Sequence, residues 1–325
     1  MKLLRLVPNN TNFDFLRIKV IAFFFSLIIL SGTLISLIFN NLNYGIDFKG
    51  GILLELRSKN LNSSDIEKLR EKISTLNAGE VSIQNFGKDT DFLVRIQKQE
   101  GDQKEQIAMI EKVKSLIEKD YTLRRSEFVG PVVGDELKKA GIYAVSLALL
   151  SIMIYIWFRF EWQFSIAAIL ALIHDVLTTV GLFSILQLEF NLATIAAILT
   201  TAGYSINDTV VIFDRVRENL RRYKSKPHYF IYNKSINETL SRTVITSVTT
   251  LLALFIIFFF GGAVLSDFAL AMIWGVIIGT FSSIFVAVSL LTYFNINKGE
   301  KVDDRTNIPE YERKLKINFF DPFSK

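Results

Sequence analysis

The sequence predicts a membrane α-helical protein, with six transmembrane helices and one exported ferredoxin-like α+β domain. Three observations predict it. Six apolar runs are each about long enough to cross a hydrocarbon core of ~30 Å. Half of the 325 residues are hydrophobic, 28 are Phe and the mean hydropathy is +0.33, which is too apolar for a soluble domain. The single long polar segment, between the first and second runs, has an apolar spacing that alternates between periods of two and of 3.6.

The first apolar run, 20–39, follows a stretch carrying Lys2, Arg5, Arg17 and Lys19. A secretory leader is the alternative, but this run is too long for one and no A-x-A cleavage pattern follows it. The reading is therefore an uncleaved helix. Five more spans are expected over 140–158, 164–188, 190–213, 244–263 and 268–294, some of them tilted. Six spans return the C-terminus to the side of the N-terminus. The connection 214–242 holds Arg215, Arg217, Arg221, Arg222, Lys224, Lys226 and Lys234, while the turns 187–191 and 261–267 hold no Lys or Arg. Basic short connections belong inside, so both termini are placed in the cytoplasm.

The polar segment reads as strands over 52–57, 81–86, 92–97 and 122–129, with helices over 64–76 and 103–119. That order, β-α-β-β-α-β, is the ferredoxin-like unit. Its acidic residues Asp65, Glu67, Glu71, Asp89 and Asp91 read as a solvated face. Two glycine-rich stretches bracket it: Tyr44-Gly-Ile-Asp-Phe-Lys-Gly-Gly51, with Gly45, Asp47, Gly50 and Gly51, and Gly130-Pro-Val-Val-Gly-Asp-Glu-Leu137, with Gly130, Pro131 and Gly134. Glycine permits tight turns and proline restricts its neighbour, so these are either hinges on which the domain swings or plain turns at a membrane surface. The expected organisation is 1–40 (N-terminus and first helix), 41–137 (exported domain with its bracketing motifs), 138–296 (five-helix bundle) and 297–325 (cytoplasmic tail).

The chemistry concentrates in polar residues within the apolar runs. Asp208, in the stretch GYSINDTVVIFDRVREN over 203–219, lies roughly 9 Å inside the point where Asp214 and Arg215 meet water. A carboxylate there costs on the order of 3 kcal/mol, and such residues face a bundle interior and mark ion or proton routes. The competing reading is a structural contact between helices. His174 and Asp175 sit near the middle of the third span. Thr201, Tyr204 and Asp208 share a face of the fourth, with Asn207 beside them. Arg242 opens the fifth, followed on the same side by Thr246, Thr249 and Thr250. Arginine keeps its proton. A fixed charge that moves relative to a buried carboxylate therefore switches whether that carboxylate holds a proton.

Other classes are disfavoured. With no Cys and only His174 and His228, a thiolate nucleophile, a disulfide and a His-built zinc site are not expected. The net charge of +5 lies beside the spans and reads as membrane orientation, not nucleic-acid binding. G-x-S-x-G, P-loop and H-E-x-x-H patterns are absent. Adjacent His174 and Asp175 point about 100° apart on a helix, which argues against a triad fragment. No enzyme activity, metal or cofactor is expected.

Gly45-Ile-Asp-Phe-Lys-Gly-Gly51, Val129-Gly-Pro-Val-Val-Gly-Asp-Glu-Leu137, Leu172-Ile-His-Asp175, the stretch from Gly203 to Asn219 and Ser241-Arg-Thr243 together resemble the SecF side of the SecD/SecF family. The resemblance runs from about Tyr44 to Tyr293. It implies a half of the resistance-nodulation-division type in a bacterial inner membrane, paired with SecD. It implies action beside the SecYEG channel, with YajC and YidC as further partners, on an exported unfolded polypeptide driven by protons. Asp208 and Arg242 match family positions associated with proton transport, and the principal acidic carrier of the family is placed on the SecD half. Two other functions compete: half of a proton-driven small-molecule efflux pump, which needs larger exported domains, and a passive assembly scaffold, which needs no titratable residues in the membrane.

Overall fold

The structure, a computed structural model, describes residues 11–59, 66–76, 81–86, 88–97, 103–294 and 296. The expected tail 297–325 and the start of the chain, with Lys2 and Arg5, lie outside them. Helix α1 (Lys19–Phe39) follows a single 3-10 turn and leads into a two-residue strand β1 (Asn43–Tyr44) and a one-turn helix α2 (Ile46–Lys49). The α+β domain comes next: β2 (Gly51–Ser58), α3 (Ile66–Ser74), β3 (Val81–Phe86), β4 (Lys88–Gln97), α4 (Gln103–Ile117) and β5 (Tyr121–Val129). The sheet order is β3-β4-β2-β5 with every pair antiparallel, the ferredoxin-like arrangement. Alternate residues of the central strands, Ile52, Leu54 and Leu56 with Phe92, Val94 and Ile96, bury against Leu69 and Ile73 of α3 and Val113 and Ile117 of α4.

One acidic residue departs from the solvated face. Asp91 is only 5% exposed, and Arg57 directly across the sheet grips it with a guanidinium fork at 2.6 and 2.7 Å. Sequence spacing does not reveal a cross-strand partner, so Asp91 reads as part of a solvated face. Glu67 and Glu71 are exposed as expected, while Asp65 and the side chain of Asp89 lie outside the described residues.

Among the described residues, six helices are long and apolar enough to cross a membrane. After α1 these are α5 (Pro131–Arg159), α6 (Trp162–Leu186), α7 (Leu192–Arg222), α8 (His228–Phe260) and α9 (Gly262–Phe281), which continues through a π-helical segment, Ser282–Ala287, into α10 (Val288–Leu291). Several helix ends differ from the expected spans. The Gly130–Leu137 stretch is no free-standing loop. Gly130 caps α5 and Pro131 occupies its first position, where a missing N–H is harmless. Phe190 belongs to β6 (Glu189–Phe190), paired in parallel with β1, and α7 starts after Asn191, which forms a capping box with Thr194. Helix α8 begins at His228, so Arg242 lies well inside a helix instead of opening one.

Small residues set the helix spacing. A side chain on Gly275 would strike the Thr201 side chain of α7, and one on Gly279 would meet Ser205 Cβ at 2.9 Å. This is close packing of the kind small-xxx-small spacing allows, and it assigns the Gly275-x-x-x-Gly279 face to α7. Gly181 of α6 receives Thr33 of α1 in the same way, and one turn further on Ser36 and Ser184 are hydrogen bonded at 2.8 Å.

The α+β domain is fastened to the bundle at a seam built from the two glycine-rich stretches. Gly45 N–H donates to Phe190 O at 2.9 Å, and the Asp47 carboxylate accepts Leu192 N–H at 2.8 Å at the start of α7. Gly50 and Gly51 have φ of +73° and +133°, values that L side chains rarely adopt. Gly134, in the first turn of α5, packs so closely that a Cβ would lie 3.1 Å from Phe48 O and 3.2 Å from Gly50 N. Arg95 of β4 pairs with Glu189 of β6 in a mostly buried ion pair. Burial is the leading influence on Glu189 and pushes its carboxyl above the usual range, with Arg95 opposing.

Two outcomes follow from this packing. Gly275→Ala should destabilise the bundle by about 1–3 kcal/mol through overpacking. Adding Thr201→Ala should recover most of that loss in thermal unfolding of the detergent-solubilised chain; a double variant no better than the single one would remove this contact from the account. A carboxyl whose proton affinity is raised on folding contributes stability at low pH and loses it as pH rises. Hydrogen exchange at β1 and β6 should therefore quicken as pH climbs above the ordinary carboxylate range, after correction for intrinsic rates. Glu189→Gln should reduce that dependence, with Asp267, a second carboxyl in the field of Arg95, supplying the remainder.

Candidate functional site

The bundle interior between α6, α7 and the π-helical segment holds a chain of buried polar side chains. Asp175 is its centre. It lies 11 residues from the Leu186 end of α6, about 16 Å along the axis, and is 1% exposed. Its Oδ1 lies 3.0 Å from His174 Nδ1, while Oδ2 accepts hydroxyl protons from Ser205 of α7 at 2.6 Å and from Ser282 at 2.7 Å. Hydrogen bonding between neighbours His174 and Asp175 corrects the expectation from the 100° offset. That angle separates Cα–Cβ directions, and longer side chains can converge beyond them.

Two consecutive serines at the start of the π-helical segment serve different helices. Ser282 reaches Asp175 on α6, whereas Ser283 bonds Thr209 of α7 at 2.8 Å. Insertions of this kind are frequent at functional sites because they re-aim side chains without ending the helix. Ser247 of α8 and Thr280 of α9 extend the polar packing with a contact at 2.7 Å.

Asp208 is arranged differently. It is 2% exposed, 16 residues or about 24 Å along α7 from Leu192, and its Oδ2 has no hydrogen-bond partner among the described residues. Arg242, 18 residues or about 27 Å along α8 from Phe260, lies at a similar depth, and its charge acts on Asp208 without a direct ion pair between them among the described residues. Arg242 and Asn207 are exposed on the outside of the bundle, and their side chains have no hydrogen-bond or ion-pair partner among the described residues. The exposed stripe continues through Thr200 and Gly203 of α7 and Thr249 of α8, whose threonine hydroxyls satisfy themselves on carbonyls four residues back.

Of the expected site residues, then, the structure joins His174 to Asp175, sets Arg242 near Asp208, and leaves Asn207 facing outward. The inward face of α8 runs through Thr243 and Ser247 rather than Thr246 and Thr249. Gly45, Asp47, Gly50, Gly51, Gly130, Pro131 and Gly134 come together at the seam, remote from the carboxylates. Sequence reasoning missed Ser205, Thr209, Ser282 and Ser283 as partners. The available signal was their type: hydroxyls in otherwise apolar helices, at i, i+4 spacing on α7. Among the described residues no group of three metal-ligating side chains occurs.

Comparison with known proteins gives this arrangement a family. Residues 109–297 match the family described as protein export membrane protein SecD/SecF, C-terminal, and residues 35–60 match the SecD/SecF GG motif. A protein translocase subunit SecF of Rickettsia bellii is 45% identical over 307 residues, covering 92% of this chain and 98% of its own. That of Rickettsia rickettsii is 44% identical over 312 residues, covering 93% and 98%. The crystal structure of SecDF from Thermus thermophilus, titled a translocon-associated membrane protein, superposes with a TM-score of 0.78 at 37% identity, over 89% of this chain and 39% of that one. SecDF in a super-membrane-facing form gives a TM-score of 0.64 at 34% identity, over 95% and 40%. The chain thus spans about two fifths of each solved SecDF chain. With nearly its whole length matched to SecF relatives and its bundle and motif residues both matched by family models, the chain belongs to the SecD/SecF family of protein-export membrane proteins.

Proposed function

We propose that this chain works with SecD beside the SecYEG channel and couples the proton-motive force to late-stage translocation of polypeptides across the bacterial inner membrane. Its termini and the basic connection 214–242 lie in the cytoplasm, and the α+β domain is exported. The contrast between two buried carboxylates carries this reading. Asp175 is fully answered by His174, Ser205 and Ser282 and acts as a clamp between helices. Asp208 keeps a buried, unanswered oxygen within the field of Arg242, the condition for a group that gains and loses a proton as the arginine shifts.

The outward stripe supports the partnership. An arginine side chain facing lipid costs on the order of 3 kcal/mol, and Asn207 adds another unanswered polar group. A second membrane chain that covers α7 and α8 there removes both costs and completes the route to Asp208. SecD, named in the SecDF relatives, is that partner in this reading. One elementary charge crossing 100 mV gains about 2.3 kcal/mol, enough to bias a two-state element.

The test uses export into inverted membrane vesicles with ATP, with and without an ionophore. Asp208→Asn keeps shape but does not titrate; it should leave SecD association intact and remove the ionophore-sensitive component of late-stage translocation. Ser205→Ala with Ser282→Ala should act through stability instead, at about 1.5–3 kcal/mol for each hydrogen bond lost to a charged group. Full ionophore sensitivity in Asp208→Asn would exclude it as a proton carrier.

A further inference from the structure

A cleft of about 610 Å³ opens at the basic end of the bundle, lined by Arg159 of α5 and by Asp214, Arg217, Glu218, Arg221 and Arg222 of α7. We propose that it binds the phosphate headgroup of an anionic phospholipid. The spacing on α7 places Asp214, Arg217, Glu218 and Arg221 on one face, where residues three and four apart are neighbours. Helix α7 runs nine residues beyond Phe213, the last apolar residue of the expected span, and so carries this face out of the hydrocarbon opposite the end of α5.

The charges are unbalanced in favour of an anion. Four guanidinium groups face two carboxylates. Arg159 is held by Asp214 at 3.0 Å and stacks on the Phe160 ring at 5.1 Å. Glu218 is drawn away by Arg215 on the neighbouring face. Arg217 Nη1 donates to Arg159 O at 3.4 Å, and Arg222 lies over the Tyr223 ring at 5.6 Å. Among the described residues, Arg217, Arg221 and Arg222 have no carboxylate at ion-pair distance. Glu161, which caps α6 nearby, is exposed and does not line the cleft. Planar guanidinium groups match phosphate oxygens in pairs of hydrogen bonds, and basic pockets between membrane helices take anionic headgroups.

The position selects a lipid over a free anion. Arg159 is the last residue of a membrane-spanning helix. Just before it Tyr155, Trp157 and Phe158 are 59%, 63% and 87% exposed, and Trp162 just after it is 52% exposed. Tyr155 lies one turn below Arg159 on the same face. Exposed aromatic residues at this depth sit at the headgroup level. A headgroup in the cleft would thus continue into acyl chains along α5, a contact that soluble phosphate lacks.

Native mass spectrometry of the full chain in detergent tests this, with phosphatidylglycerol, phosphatidylethanolamine and glycerol phosphate as separate probes. Arg217→Gln with Arg221→Gln should weaken phosphatidylglycerol retention about thirtyfold, about 1 kcal/mol for each guanidinium, and leave phosphatidylethanolamine unchanged. Asp214→Asn, which frees Arg159, should strengthen it. Arg217→Lys with Arg221→Lys, which preserves charge, should retain more lipid than the glutamine pair, separating charge recognition from misfolding. Equal phosphatidylglycerol retention in all variants would overturn the proposal. Glycerol phosphate binding as tightly as phosphatidylglycerol would replace it with a free-phosphate site. Loss of a co-purifying protein from the glutamine pair, with lipid retention unchanged, would assign the cleft to an acidic protein segment instead.

Discussion

A carboxylate held midway through a hydrocarbon layer must find its donors within the protein, and the bundle is organised around providing them to Asp175. The two serine donors come from different helices, and each depends on close approach. Ser205 reaches Asp175 from α7, and Gly279 of α9 packs against that same serine, with Gly275 making the same contact at Thr201. Ser282 reaches it from the first residue of the π-helical segment. A buried carboxyl left with fewer donors costs more than the hydrogen bonds contribute when made. Polarity and packing here are one constraint.

Against that clamp, Asp208 is conspicuous for what it lacks. Two acidic side chains on adjacent helices have been given opposite surroundings, one closed by donors and one left open beside a fixed charge. The α6–α7 connection joins the two helices that carry them, and this same connection is gripped by the α+β domain through β1–β6 pairing, Asp47 and Arg95. In the proposed function, displacement of α6 against α7 has a short path to the exported domain. The glycine-rich stretches then work as a close-packed coupling, since Gly134 lies against Phe48 and Gly50 and leaves little free travel.

Much of this was legible in the residues. Six spans, the ferredoxin-like order and acidic residues at Asp175 and Asp208 within apolar runs follow from hydropathy, period and charge, because those signals are local. What was not legible is what depends on partners distant in sequence. Asp91 read as solvated until Arg57 appeared across the sheet. Ser282 and Ser283 read as packing residues because their partners, Asp175 and Thr209, lie on helices distant in sequence. Helix ends also moved where a cap overrode composition: Pro131 extends α5 backwards into a stretch that reads as a turn, and Asn191 delays α7 past an apolar Phe190.

Protonation of Asp208 itself is the most direct test of the central claim. Infrared difference spectra of the SecD-associated chain in vesicles, recorded across a pH step, resolve the C=O stretch of a protonated carboxyl. The account predicts a band that disappears in Asp208→Asn and persists, shifted at most slightly, when Ser205 and Ser282 are replaced by Ala. A band that survives in Asp208→Asn and vanishes in Asp175→Asn would contradict it, and would make the clamp the carrier.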